Sequence, residues 1–179
     1  DCVKHLRGMF AFALWDRARE RLLLARDHMG QKPLFFSNVS GAFTFASEVK
    51  GLLASKLIEP QMELEGLWHY MSLRFMPDGF TFFKDIHKLP AGSRLVFEHQ
   101  TVKVDRYWDI DFLKKHPGSE REIEEGLHQT LRETVESHML SDVPVGAFLS
   151  GGIDSGTVSA MMATLQDQPV PVFSIGVKE

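Results

Sequence analysis

Ser150-Gly151-Gly152-Ile153-Asp154-Ser155 is the stretch of this chain best equipped for chemistry. An apolar segment, Val143 to Leu149, precedes it, and a helix-forming segment, Thr157 to Leu165, follows. A strand that turns through glycines into a helix presents unpaired N–H groups and the positive end of the helix dipole, which suit phosphate. In open α/β sheets ligands bind beyond the carboxyl ends of the strands. Gly151 and Gly152 let the backbone approach a ligand with no Cβ in the way, and Ser150 and Ser155 supply hydroxyl donors. Asp154 is the odd residue in such a site. Its carboxylate repels phosphate unless a cation lies between them, and Mg²⁺ is commonly held by one or two carboxylates together with substrate phosphates. The loop is therefore expected to take ATP with Mg, Asp154 being the metal contact. It is not a Walker A loop, because no Gly-Lys-Ser/Thr follows the glycines, and it lacks the Gly-x-Gly-x-x-Gly of dinucleotide sites. A plain strand-to-helix turn with Ser155 or Asp154 as N-cap uses several of the same residues.

The elements that must position this loop form a strand–helix–strand unit. Pro169 to Val177 reads as a second apolar, β-branched strand, so the unit predicts a right-handed crossover and the start of a parallel sheet. Upstream, Ser119 and Glu122 form a capping box for a helix whose apolar face is Ile123, Leu127, Leu131, Val135 and Met139. His116-Pro117-Gly118 reads as a linker, and the domain boundary is expected there, between 1–115 and 116–179.

Before the linker, strands and turns dominate. Gly8 to Trp15 is apolar on both faces, which predicts a strand covered on both sides. Asp16 to Glu20 is a polar turn and Arg21 to Ala25 the returning strand. Leu34-Phe35-Phe36 and Ala42 to Ala46 flank Asn38-Val39-Ser40-Gly41 as a second hairpin. Ser47 is expected to cap a short helix through Val49, Leu52 and Leu53. Leu64, Leu67, Trp68 and Met71 predict an amphipathic helix near 63–73. Arg94 to Glu98 and Val102 to Trp108 form a further strand pair.

In this setting the hexapeptide resembles the SGGxDS signature of the PP-loop ATP pyrophosphatases. Those enzymes cleave ATP between its α- and β-phosphates and transfer AMP to a substrate oxygen. The upstream segments narrow the resemblance. Leu6 to Asp16 (LRGMFAFALWD) is similar to the LxGMFAFALxD stretch of glutamine-hydrolysing asparagine synthetases. Arg26 to Leu34 resembles their RDxxGxKPL, Phe45 to Leu52 their FASExKxL, Leu89 to Gly92 their LPPG, and Ser141 to Gly146 their SDVPxG. The order is the same nearly end to end.

The resemblance implies a fold in two parts. The first is α+β, the sheet portion of an N-terminal-nucleophile-type glutaminase, and the second is the start of an α/β parallel-sheet PP-loop domain. It implies asparagine formation from aspartate through an acyl-adenylate, with glutamine or ammonia as nitrogen donor and AMP and pyrophosphate as products. ATP-binding residues are expected at Leu149, Ser150, Gly151, Gly152, Asp154, Ser155 and Ile175, the contacts of Leu149 and Ile175 with adenine being made by backbone groups. The expected partners are small molecules, namely aspartate, glutamine and ATP, and a homodimer of the full-length protein is among the expectations, as is a cytoplasmic setting. Related ligases with another carboxylate substrate, of the β-lactam synthetase kind, share the same motifs, and tRNA-modifying PP-loop enzymes share the loop. The family's Cys-Gly-Ile nucleophile, His-Arg-Gly-Pro, Asn-Gly-Glu and Gly-Ser-Asp segments do not occur in the chain. None of the glutaminase catalytic residues is therefore expected here, and the chain reads as a fragment across the domain junction, inactive alone.

Composition excludes other classes. A net charge of -4, with no Lys/Arg block, argues against a general grip on nucleic acid. The longest apolar run is far too short for a membrane span. Cys2 precedes Val3-Lys4, not Gly-Ile, and reads as incidental. Arg26 and Asp27 are expected to satisfy turn backbone. The eight histidines lack zinc-ligand spacing. Phe35, Phe36, Phe43 and Phe45 are expected in the core.

Overall fold

The computed structural model describes residues 2–176. The chain divides into two compact units, Asp1–Asp111 and Phe112–Glu179. In the first, a 3-10 turn at Cys2–His5 leads to the hairpin of β1 (Ala11–Asp16) and β2 (Arg21–Arg26). Asp16 closes the hairpin turn, its carboxylate accepting from Ala18 N at 3.1 Å and Arg19 N at 3.2 Å. Further strands are β3 (Phe35–Val39), β4 (Ala42–Ala46), β5 (His87–Lys88), β6 (Ser93–Glu98) and β7 (Thr101–Arg106). They make two antiparallel sheets, ordered β1-β2-β6-β7 and β4-β3-β5. Leu22 and Leu24 of β2, Phe36 of β3 and Leu95 of β6 share one core with Leu34, just before β3, and Leu89, just after β5. Phe43 stacks on Phe97 with ring centroids 4.5 Å apart. A second cluster joins Leu52 of α1 (Val49–Ala54) to Ile58 and Ile86.

Several local expectations change. β1 begins at Ala11, and among the described residues it is an edge strand paired with β2 alone, so Leu14 and Trp15 are more than half exposed instead of being covered on both sides. Glu48, not Ser47, is the N-cap of α1, and its side chain makes no capping bond. Phe45 lies partly in solvent, although it shares a face of β4 with Phe43, which packs on the core.

Helix α2 (Leu64–Leu73) starts on Glu63, whose carboxylate accepts from Glu65 N, and ends on Arg74 in the left-handed region at φ 59°. Its apolar residues have the expected spacing, but Leu64, Trp68 and Met71 face solvent. The buried side is Gly66. A Cβ there would stand 2.2 Å from the Thr81 carbonyl oxygen. Gly66→Ala should therefore lower stability although alanine is the better helix former by about 1 kcal/mol. A loss of about 1–3 kcal/mol is expected from the forced backbone shift. A melting temperature equal to or above wild type would refute this close packing.

The second unit begins with α3 (Glu120–Met139) and its capping box. Ser119 Oγ accepts from Glu122 N, and the Glu122 carboxylate accepts from Ser119 N at 2.7 Å. Only the C-terminal half of the apolar face is covered. Val135 is buried and Leu131 and Met139 pack beside it, while Ile123 and Leu127 remain exposed. The next strand, β8 (Ala147–Phe148), is shorter than the expected 143–149. It pairs in parallel with β9 (Val172–Phe173), through Ala147 N to Pro171 O at 2.9 Å and Leu149 N to Phe173 O at 2.8 Å. Pro144 has no N–H to offer a ladder, so pairing starts beyond it. Helix α4 (Ile153–Leu165) lies between the two strands, and its Met161 and Met162 pack on Val135. It starts four residues before the expected Thr157, which places Asp154, Ser155 and Gly156 inside the helix. Val177, the last residue of the expected second strand, lies outside the described residues.

Candidate functional site

Ser150, Gly151 and Gly152 form the turn between β8 and α4. Gly151 has φ +84°, and an added Cβ would meet no atom within 4 Å. Conformation, not crowding, therefore calls for glycine here. Gly152 is the N-cap of α4, so neither Asp154 nor Ser155 caps, and among the described residues there is no side-chain capping bond to the first N–H groups. The first N–H groups of a helix have no partner within it. Here they stand beside an open glycine turn.

The two serine hydroxyls brace the turn. Ser155 Oγ donates to Gly152 O at 3.1 Å and accepts from Ser150 N at 3.3 Å. The two Oγ atoms are 3.1 Å apart. Asp154 is exposed on the first helical turn, a favourable place for a negative charge. Asp154 and Ser155 also line a cavity of about 490 Å³ bounded by α3, β8 and α4, with apolar walls from Val135, Met139, Val158 and Met162. Leu149 and Ile175 sit at the ends of the two parallel strands. The backbone of Leu149 is engaged, its N–H with Phe173 O and its carbonyl with Ser174 Oγ at 2.6 Å. Ile175 is exposed, so it is not sheet core among the described residues.

Among the described residues no group of three or more His, Cys, Asp or Glu could hold a metal on its own. A lone carboxylate beside free N–H groups still fits Mg²⁺ shared with phosphates, which needs only one or two protein carboxylates. Cys2 is exposed on the opening turn. Among the described residues no helix is long and apolar enough to cross a membrane.

A second polar cluster lies in the first unit. Asp27 is buried, and its carboxylate accepts from Gln31 N at 2.9 Å, Lys32 N at 3.0 Å and Phe10 N at 3.3 Å. Burial alone would raise its pKa. The three N–H bonds and the neighbouring Arg26 outweigh burial, and the pKa is lowered. Arg26, also buried, donates to Lys32 O, Leu89 O and Gly30 O. Gly30 must stay bare, because a Cβ would come 2.8 Å from the guanidinium carbon. Both residues satisfy turn backbone as expected. The sequence did not single out Asp78, which lies 3.4 Å from Arg26 and 3.3 Å from Lys88 and accepts from Ala91 N. Tyr107 Oη donates to Arg26 O at 2.7 Å. The cluster fastens three loops and is structural.

Comparison with known proteins connects the two units. Residues 1–108 match the family model described as glutamine amidotransferase domain. The chain belongs to the glutamine amidotransferase family. Residues 126–179 match a second model, that of asparagine synthase. The antiparallel α+β unit thus coincides with the amidotransferase match and the glycine turn between β8 and α4 with the synthase match. The chain is 36% identical to a putative glutamine-hydrolysing asparagine synthetase of Methanocaldococcus jannaschii, over 98% of this chain and 35% of that protein. It is 34% identical to glutamine-hydrolysing asparagine synthetase 3 of Bacillus subtilis, over 100% of this chain and 30% of that protein. It is 38% identical to a Penicillium rubens protein named amidase chyE, over 93% of this chain and 25% of that protein. The chain thus spans between a quarter and about a third of the length of these relatives.

Proposed function

We propose that this amidotransferase chain is the junction of an ATP-dependent, glutamine-using amide ligase of the asparagine synthetase type. Residues 1–115 are the C-terminal part of the N-terminal-nucleophile-type glutamine amidotransferase domain. Residues 116–179 open the parallel-sheet ATP pyrophosphatase domain. One observation carries the reading: an uncapped helix start follows a left-handed Gly151, with both serine hydroxyls braced across the turn and Asp154 in the first helical turn. Such a site suits a pyrophosphate group better than a neutral ligand.

In the proposed reaction an aspartate side-chain oxygen attacks the α-phosphorus of ATP, and the α–β bridging oxygen leaves with pyrophosphate. Ammonia, taken from glutamine, then attacks the acyl carbon. AMP departs with the electron pair of the acyl–oxygen bond, a proton is released, and asparagine remains. Activation is needed because a carboxylate has no good leaving group. The N–H groups of Ile153, Asp154 and Ser155 hold the departing phosphates, and the hydroxyls of Ser150 and Ser155 orient them. Gly151 and Gly152 let the backbone close on them, and Leu149 and Ile175 offer backbone atoms to adenine at the strand ends. Asp154 would hold Mg²⁺, which would supply positive charge to offset the negative charge of the phosphates. The setting is cytoplasmic and the partners are small molecules.

The relatives include a protein named amidase, which favours a second reading in which the same activation serves another acceptor. Full-length protein incubated with aspartate, glutamine and Mg²⁺-ATP should form AMP, pyrophosphate and asparagine in equal amounts. Formation of ADP and phosphate instead would sink the reading of the loop. AMP formed only when another carboxylate replaces aspartate would select the second acceptor.

A further inference from the structure

A cavity of about 410 Å³ lies on the β1-β2-β6-β7 sheet, on the face turned away from the core. Leu22, Leu24 and Leu95 point into the core, so the alternate residues Arg21, Leu23, Arg94 and Val96 stand on the opposite face. Cross-strand register completes the site. Val96 lies opposite Leu23 on one side and Lys103 on the other, and Arg94 lies opposite Asp105. Leu23 and Val96 thus make an apolar floor, with Arg21, Arg94 and Lys103 around it. The opening 3-10 turn adds a wall, made of Val3, which is 1% exposed, and the exposed Cys2.

Three cations against one carboxylate make a basic lining in a chain of net charge -4. Like charges gathered on one face of a sheet repel one another. Asp105 answers part of this, its carboxylate accepting from Arg94 Nε at 2.8 Å. Arg21 approaches Asp16 only to 3.9 Å. Among the described residues the Lys103 ammonium has no hydrogen-bond or ion-pair partner. We propose that this cavity binds a phosphate monoester carried on an apolar body. The phosphate, with about two negative charges at neutral pH, takes up the surplus of cations. Guanidinium forks and a lysine point charge are ordinary ligands of such a group. The apolar body lies on Leu23 and Val96. The volume is that of a small-molecule site, which runs from about 300 to 1,000 Å³. The cavity shares no residue with the turn between β8 and α4, so it is independent of the chemistry proposed there.

Cys2 reports on the cavity that it lines. Full-length protein is alkylated with N-ethylmaleimide, with phenyl phosphate as the probe ligand, and the peptide containing Cys2 is followed by mass spectrometry. Reading that one thiol separates this cavity from any other phosphate site of the protein. Phenyl phosphate at about ten times its Kd should slow alkylation about tenfold, the occupied fraction being shielded. Inorganic phosphate lacks the apolar body and benzyl alcohol lacks the charge, so each should need about tenfold higher concentrations. Lys103→Glu should raise the half-protecting concentration of phenyl phosphate about tenfold, and Lys103→Arg should leave it within about twofold. Lys103 is exposed on β7, so neither variant disturbs the fold. A Cys2 thiol that phenyl phosphate does not protect would overturn the proposal. So would one that resists alkylation without ligand, other parts of the protein then filling the cavity. Equal protection of wild type and Lys103→Glu, or equal protection by phenyl and inorganic phosphate, would do the same.

Discussion

Asp154→Ala in the full-length protein should lower pyrophosphate release by about a thousandfold, the scale on which single electrostatic contacts to a reacting group act. The fold should survive. Asp154 is exposed on the first turn of α4, and among the described residues its side chain has no hydrogen-bond or ion-pair partner. The cost to stability is then about 0.3–1 kcal/mol from the lost charge at the helix N-terminus. Asp154→Asn keeps the shape and removes the charge, so it separates metal and phosphate electrostatics from packing. It should be nearly as impaired as the alanine variant. A folded Asp154→Ala protein with wild-type turnover of ATP to pyrophosphate would mean that the loop is an ordinary strand-to-helix turn.

The largest stability effect is expected at Asp27. Asp27→Ala strips three backbone N–H groups of their acceptor, while the buried Arg26 keeps its ion pair with Asp78. Three part-buried donors left without their acceptor together predict a loss of about 3 kcal/mol. For a unit of this size that is about 12–20 °C in melting temperature. The effect depends on pH, and its direction follows from the lowered pKa. The carboxyl loses its proton more readily in the folded than in the unfolded state. Its ionised form therefore stabilises the fold fully above the unfolded value, near 3.8. That contribution disappears as pH falls through the lower folded value. The melting-temperature gap between wild type and Asp27→Asn should thus be constant from pH 5 to 7 and shrink below about 3.8. A gap that widens on acidification would show that the carboxylate is not the stabilising species.

Local pattern made some features legible and left others hidden. The capping box of α3 was readable because its atoms lie three residues apart and bond only to each other. The loop residues were readable because glycine and hydroxyl types are dictated by the turn itself. The start of α4 was misjudged for a related reason. Gly-Gly reads as a stop, yet here Gly152 is the cap and the helix begins on the next residue. Periodicity also identified which residues of α2 share a face. It could not say that the buried side would be Gly66, because that depends on a carbonyl at Thr81, in a separate loop. Asp78 was invisible for the same cause. Its partner Arg26 is 52 residues away, and no local signal links them. What remains readable without the fold is the chemistry of contiguous stretches.

The hydrogen bond from Tyr107 Oη to Arg26 O has a consequence for synthesis of the protein on the ribosome. Its ends are 81 residues apart, and Gly92 N, which bonds Asp27 O, also comes from the late part of the unit. At about 5–20 residues per second, Tyr107 is made roughly 4–16 seconds after Arg26. The hairpin of β1 and β2 can form early, but the carbonyls of Arg26 and Asp27 must wait for Tyr107 and Gly92. The first unit therefore has a late clasp, and its second sheet edge, on β2, stays open until β6 arrives. Nascent chains arrested before residue 93 should be open to proteases and chaperones along that edge, and chains released after 108 should not.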